Sequence, residues 1–307
     1  MKYFDLHADT PSKLYYRDLP FTSSELDISA GDLNGFSHIT QVFACFCNET
    51  KSDEEAYRDF FRMREKLFAA VSPYLSDRFS FLLSVEDARL LAGDIRRLST
   101  LRDAGVSILT PVWCGESCIG GAYDTDTGLT HFGHEVLHEC LRLGILPDVS
   151  HASDKTFYDI AKICSDAGSP LIATHSDARA VCPHPRNLTD EEFSAIRDSG
   201  GIVGLCLCPA HLTDSPVAEE KHILRHLEHY LALGGENTVC LGTDFDGISS
   251  HPAGLSRLTD MARLIPTLQK VGYSDTLIHH LFYKNAENFF QHFQKAGNQN
   301  ELQKYKK

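Results

Sequence analysis

Tyr3-Phe4-Asp5-Leu6-His7-Ala8-Asp9 is a short apolar, β-rich run that finishes on an imidazole and a carboxylate. Seven further runs of the same kind follow at His38–Phe46, Phe79–Glu86, Val106–Trp113, Leu146–His151, Pro170–His175, Gly201–Cys208 and Thr238–Asp244. Between them lie longer stretches with helical period, at Ser52–Tyr74, Asp94–Ala104, Phe132–Gly144, Ser153–Ala167, Thr189–Ser199 and Pro216–Leu233. Ser153 and Thr189 supply side-chain acceptors at helix starts, and Gly105, Gly144 and Gly168 fall where helices should stop. Eight strands alternating with helices predict an α/β fold with a closed parallel sheet, a (β/α)₈ TIM barrel.

The ends of these runs carry the chemistry. His7 and Asp9 finish the first, Glu86 the third, His151 the fifth, His175 the sixth and Asp244 the eighth. In such a barrel the C-terminal strand ends converge on one mouth, so residues far apart in the chain are expected to meet there. Three imidazoles with two or three carboxylates form a mixed nitrogen and oxygen set that suits Zn²⁺, and they exceed what one tetrahedral ion needs. Two Zn²⁺ ions per chain are therefore expected, roughly 3.5–4 Å apart, with a carboxylate such as Glu86 offering one oxygen to each.

The segments Asp5-Leu-His-Ala-Asp-Thr-Pro11, Val85-Glu86, Asp148-Val-Ser-His151-Ala-Ser153, Ala173-Thr-His175-Ser176, Pro185-Arg186-Asn187 and Gly242-Thr-Asp244-Phe-Asp-Gly247 resemble, in order, the active-site segments of the membrane (renal) dipeptidase family, a branch of the amidohydrolase superfamily. The resemblance implies that His7, Asp9 and Glu86 hold one zinc, that Glu86, His151 and His175 hold the other, that Asp244 handles protons at the bridging water, and that Arg186 grips the C-terminal carboxylate of a dipeptide. This sequence departs from the family at the end of the fourth run. Well-known members place a substrate-touching histidine there, and Trp113 stands at the matching position.

Physical reading of the residues agrees. Two zinc ions lower the pKa of a shared water and polarise the scissile carbonyl, so a metal-bridging hydroxide serves as nucleophile without a side chain doing so. Asp244 acts as general base and then acid; its plainer reading is a turn aspartate, a role that Asp246, directly before Gly247, fits better. Arg186 offers a two-pronged donor matched to a carboxylate; its plainer reading is a solvated loop arginine. The expected function is a binuclear zinc dipeptidase. The alternatives are a zinc amidohydrolase for N-acyl amino acids or another small amide, motivated by Trp113, and a non-catalytic metal-binding barrel.

A formal charge of −13 disfavours nucleic acid and anionic membrane surfaces as partners and favours a small peptide. The ten cysteines stand singly or as Cys-x-Cys within apolar runs, which predicts reduced thiols and a cytoplasmic location. There is no signal-like N-terminal segment and no apolar stretch long enough to span a bilayer. Residues 1–307 are expected to form one domain with a polar tail from about 296, and a homodimer is the default assembly.

His134-Glu135-Val136-Leu137-His138 matches the H-E-x-x-H zinc helix of many metalloproteases. On a helical wheel, however, Gly133, Val136, Leu137, Cys140 and Leu141 form the apolar arc. Both histidines lie at or beyond its edge, so the motif is expected to face solvent on an outer helix. Among the remaining histidines, His211, just past the seventh run, is the candidate for the substrate pocket.

Overall fold

The structure, a computed structural model, describes residues 1–47 and 50–293; the expected tail from 296 lies outside them. Eight strands form one sheet: β1 (Lys2–Ala8), β2 (His38–Phe46), β3 (Phe79–Glu86), β4 (Val106–Thr110), β5 (Leu146–Pro147), β6 (Ile172–Ala173), β7 (Ile202–Leu205) and β8 (Val239–Leu241). Their order is β5-β4-β3-β2-β1-β8-β7-β6, and every pairing is parallel. A parallel bridge between Asp148 and Ile172, with Val149 N donating to Ile172 O at 2.9 Å, joins β5 to β6 and closes the ring. The molecule is a (β/α)₈ barrel.

Local chemistry sets the helix bounds. Ser52 accepts from Glu55 N while Glu55 reaches back to Ser52 N, starting the helix Asp53–Val71, and Thr189 and Glu192 do the same for Asp190–Asp198. Ser153 caps Asp154–Ala167. Gly144 and Gly168 end their helices in left-handed conformation, at φ 69° and 65°. A helix from Thr10 to Tyr16, starting directly after Asp9, was not foreseen, and the helix expected from Pro216 begins at Glu220.

A large apolar cluster packs helices onto the sheet. A second draws Phe4 and Leu6 from β1, Val42 from β2, Ile108 from β4, Leu146, Ile172, Ile202 and Cys240 from β5 to β8, with Leu82 of β3 against it, and so fills the barrel. Tyr283, Ala286, Phe289 and Phe290 join this cluster, Phe290 stacking on Phe4 at 5.4 Å, and so seal the end where the strands start. Among the described residues, no helix is long and apolar enough to cross a membrane.

Several strands are shorter than expected. β5 stops at Pro147, four residues before His151, and β8 at Leu241, three before Asp244. The cause is a pair of buried aspartates that take over backbone donors a neighbouring strand would otherwise bind. Asp148 accepts from Ser150 N and Thr174 N, and Asp5 from His7 N and Thr243 N. Freed from the ladder, the chain turns at these ends, and His151 and Asp244 take φ of 68° and 61°, a left-handed conformation uncommon for such residues.

Candidate metal centre

The barrel brings five of the expected residues into one cluster. Glu86 divides it. Oε1 of Glu86 lies 2.8 Å from His151 Nε2 and 3.7 Å from His175 Nε2, and its Oε2 lies 3.3 Å from His7 Nε2. Asp9 Oδ2 is 3.7 Å from the same His7 nitrogen. Candidate ligand atoms thus fall into the groups His7, Asp9, Glu86 and Glu86, His151, His175, each with its atoms within 4.8 Å of one another. Asp244 joins His7 and His175 in a third such group, its Oδ1 4.0 Å from His7 Nε2. Among the described residues these three groups are the candidates for holding an ion.

Burial gives the cluster its charge character. Glu86 resists burial, but His7 and His151 more than offset it and hold its carboxyl below the ordinary range. Burial, reinforced by the charge of Glu86, raises Asp9 to about 6. Burial likewise pushes Asp244 well up, Asp9 and Glu86 adding to it against the pull of His7. Desolvation and the Arg186 charge bring His151 down to about 4, and desolvation with the charges of His7 and Arg186 takes His175 well below its usual value. Both are held as neutral imidazoles, the form that binds a metal. His7 goes the other way: burial opposes its protonation, but Glu86 and then Asp9 outweigh burial, so the spot between these three residues favours a positive charge.

The donor set fits metal ions. His7 Nε2 and Asp9 Oδ1 are buried without a hydrogen-bond partner, which natural interiors rarely tolerate. Each of the three imidazoles has its Nδ1 beside an oxygen: His7 and His175 near Thr174 Oγ1, at 3.3 and 2.8 Å, and His151 3.0 Å from Trp113 O. With Nδ1 donating there, Nε2 is the nitrogen left to each ring for a metal, and all three point at Glu86.

A cavity of about 340 Å³ opens over this cluster. Asp9, Glu86, Asp244 and Asp246 line one side, and Arg186 and His211 another. Trp113 packs against Phe46 with ring centroids 4.7 Å apart and planes tilted by 46°, and forms an apolar wall 6.2 Å from the His151 ring. Arg186 is no solvated loop residue. It is 4% exposed, donates from Nη1 to Ser176 Oγ and from Nη2 to His175 O, both at 2.9 Å, and keeps a buried Nε without a partner. Gly247 closes the acidic side so tightly that a Cβ there would come within 2.3 Å of Asp244 Oδ1 and Asp9 Oδ2.

Membership follows from comparison with known proteins. A model of the family described as membrane dipeptidase, peptidase family M19, matches residues 54–304. The chain belongs to that family. As an M19 chain it is a hydrolase of peptide bonds that depends on metal. An uncharacterized protein in the pqqA 5' region of Klebsiella pneumoniae is 38% identical over 216 residues, covering 66% of this chain and 77% of its own. Dipeptidase 3 of Homo sapiens is 27% identical over 236 residues, 74% of this chain but 48% of its own, so this M19 chain spans about half the length of that relative. Among solved structures, a dipeptidase of family M19 superposes with a TM-score of 0.87 at 26% identity over 94% of this chain and 97% of its own. A metallopeptidase from Rhodobacter sphaeroides, liganded with a phosphinate mimic of L-Ala-D-Ala, gives 0.84 at 26% identity over 95% and 99%.

The H-E-x-x-H segment lies on the outer helix His131–Leu143, with Glu135 and His138 exposed and His131 paired to Glu135 at 3.4 Å, as the helical wheel predicts. Sequence reasoning missed Thr174, Asp148, Tyr123 and the thiols Cys206 and Cys208. Tyr123 and Cys208 line the cavity, and Cys206 Sγ lies 3.9 Å from Asp244 Oδ2. Cys206-Leu-Cys208 directly follows β7. Its place past a strand end was the available signal, set aside because the ten cysteines read as core.

Proposed function

We propose that this chain is a dipeptidase built around two zinc ions, one held by His7, Asp9 and Glu86 and the other by Glu86, His151 and His175. The observation that carries the reading is the split of Glu86, whose two oxygens face two different sets of ligand atoms. An ion pair held there would supply a Lewis acid for the scissile carbonyl and lower the pKa of a shared water. The chain's own residues do the rest. Asp244, buried at the edge of the cluster with its carboxyl pushed towards protonation, takes a proton from the attacking water and passes it to the leaving amine. Arg186, fixed by Ser176 Oγ and His175 O, turns its remaining N–H groups to the free carboxylate of the substrate. Trp113 and Phe46 screen the scissile bond from bulk water.

Trp113 also favours a second reading, an N-acyl amino acid or similar small amide, because an apolar wall suits an acyl chain as well as an amino-acid side chain. The deciding experiment offers the zinc-loaded enzyme dipeptides, including L-Xaa-D-Xaa pairs of the type mimicked in the Rhodobacter sphaeroides complex, beside N-acyl amino acids. Dipeptide cleavage that Asp244→Asn lowers by a factor of about 10² or more supports the first reading. Turnover confined to acyl substrates selects the second. A single catalytic domain, a cytoplasmic site of action, favoured by ten free thiols, and a homodimer complete the proposal.

A further inference from the structure

The Thr174 hydroxyl sits below the cluster and touches three groups that matter to it. It lies 2.6 Å from Asp148 Oδ2, 2.8 Å from His175 Nδ1 and 3.3 Å from His7 Nδ1. A hydroxyl has one proton to give and two lone pairs to receive with, so the direction of each bond follows from counting. Asp148 is buried and receives four donors. Ser150 N and Thr174 N reach Oδ1 at 3.0 and 2.9 Å, and Thr110 Oγ1 and Thr174 Oγ1 reach Oδ2 at 2.7 and 2.6 Å. An ionised carboxylate only accepts, and two donors on each oxygen fill its capacity. The single proton of Thr174 is therefore spent on Asp148, and its lone pairs face the two imidazoles at 2.8 and 3.3 Å, with Ser150 Oγ farther off at 3.4 Å. Each imidazole can meet them only by donating from Nδ1.

We infer that Thr174, oriented by Asp148, is a positioning residue that sets the tautomer of His7 and His175 together and so presents both Nε2 lone pairs to the metal centre. The two histidines come from opposite sides of the β7–β8 pair, one from β1 and one from just past β6. Their rings stack at 3.8 Å with 30° between planes, so one hydroxyl beneath the stack serves both. His151 is outside this arrangement; its Nδ1 faces Trp113 O instead. The inference rests on the proposed metal centre, but the bonds from the two Nδ1 atoms to Thr174 Oγ1 belong to the protein alone.

The test compares Thr174→Val, Thr174→Ser and Thr110→Val in the full chain. Both valine variants remove one hydroxyl from Asp148 Oδ2, whereas only Thr174→Val also removes the acceptor from the two imidazoles. Nitrogen-15 spectra of histidine-labelled, metal-depleted wild-type enzyme should show a neutral His175 protonated at Nδ1 and a proton on Nδ1 of His7. That signature should be lost in Thr174→Val and kept in Thr174→Ser and Thr110→Val. Competition for zinc against a chelating dye should show about 10–100-fold weaker binding in Thr174→Val, with Thr174→Ser and Thr110→Val within about threefold of wild type. A wild-type His175 protonated at Nε2 in place of Nδ1, or equal zinc affinity in the two valine variants, would overturn the inference. A wild-type protein that takes up no zinc yet shows the Nδ1 signature would instead overturn the metal reading and leave the tautomer assignment supported.

Discussion

The Nε2 atoms of His151 and His175 lie 3.0 Å apart. Each ring has an oxygen beside its Nδ1, and each is held neutral by its surroundings, so the two Nε2 atoms confront each other as lone pairs with Glu86 Oε1 alongside. Such a grouping of acceptors is repulsive until a cation lies among them. Metal binding should therefore be folding free energy as well as catalysis.

Loading with zinc at about a thousandfold above its dissociation constant should raise stability by about 4 kcal/mol per site. For a chain of this size that is a rise in Tm on the order of 10 °C. Calorimetry with and without a chelator, alongside a count of about two ions per chain, measures it. A melting point indifferent to chelator would mean that these side chains are not ligands.

Much of this site was legible beforehand because the barrel imposes a rule: whatever ends a strand meets whatever ends the others. β2 and β3 were read to the residue, since their apolar runs pair along their whole length. β5 and β6 were overextended because alternation in sequence does not reveal that Asp148 diverts the backbone donors beyond Pro147 and at Thr174. Thr174 itself was given no role. Its hydroxyl gains meaning only from Asp148 and His7, which are 26 and 167 residues away in sequence.

Arg186→Lys tests substrate anchoring. An ammonium cannot reproduce two fixed N–H directions, one to Ser176 Oγ and one to His175 O, and still face a carboxylate. KM for free dipeptides should rise about tenfold or more while kcat falls less, and stability should drop by about 1–3 kcal/mol as buried acceptors lose their donors. Substrates amidated at the C-terminus should react poorly with both proteins. Equal KM values would remove Arg186 from the substrate site.

Gly247→Ala tests how tightly the acidic wall is packed. Its methyl group would press on Asp244 Oδ1 and Asp9 Oδ2 at once, and both are short side chains with little room to swing. We expect turnover to fall by about a hundredfold, as for misplacement of catalytic groups by about 1 Å, with an unchanged far-ultraviolet circular dichroism spectrum. Full activity would show that the loop after β8 shifts freely, and that its tight approach to the two carboxylates is not needed for catalysis.

Glu192 lies away from the metal centre and controls a different property. It is 2% exposed, and burial raises its carboxyl from 4.5 to about 7 despite the hydrogen bonds from Thr189. A group that binds its proton more tightly when folded stabilises fully below its unfolded pKa, so the protein should lose stability as pH rises from about 5 to 8. Glu192→Gln keeps an oxygen to accept from Thr189 N, and so preserves the helix cap, but it carries no charge to bury. The variant should match wild type at pH 5 and exceed it at pH 8, by at most about 3 kcal/mol. Denaturant midpoints at the two pH values decide the matter. Parallel curves for the two proteins would show that Glu192 ionises freely, with Arg179, whose Nη2 lies 3.8 Å from it, compensating its charge in full.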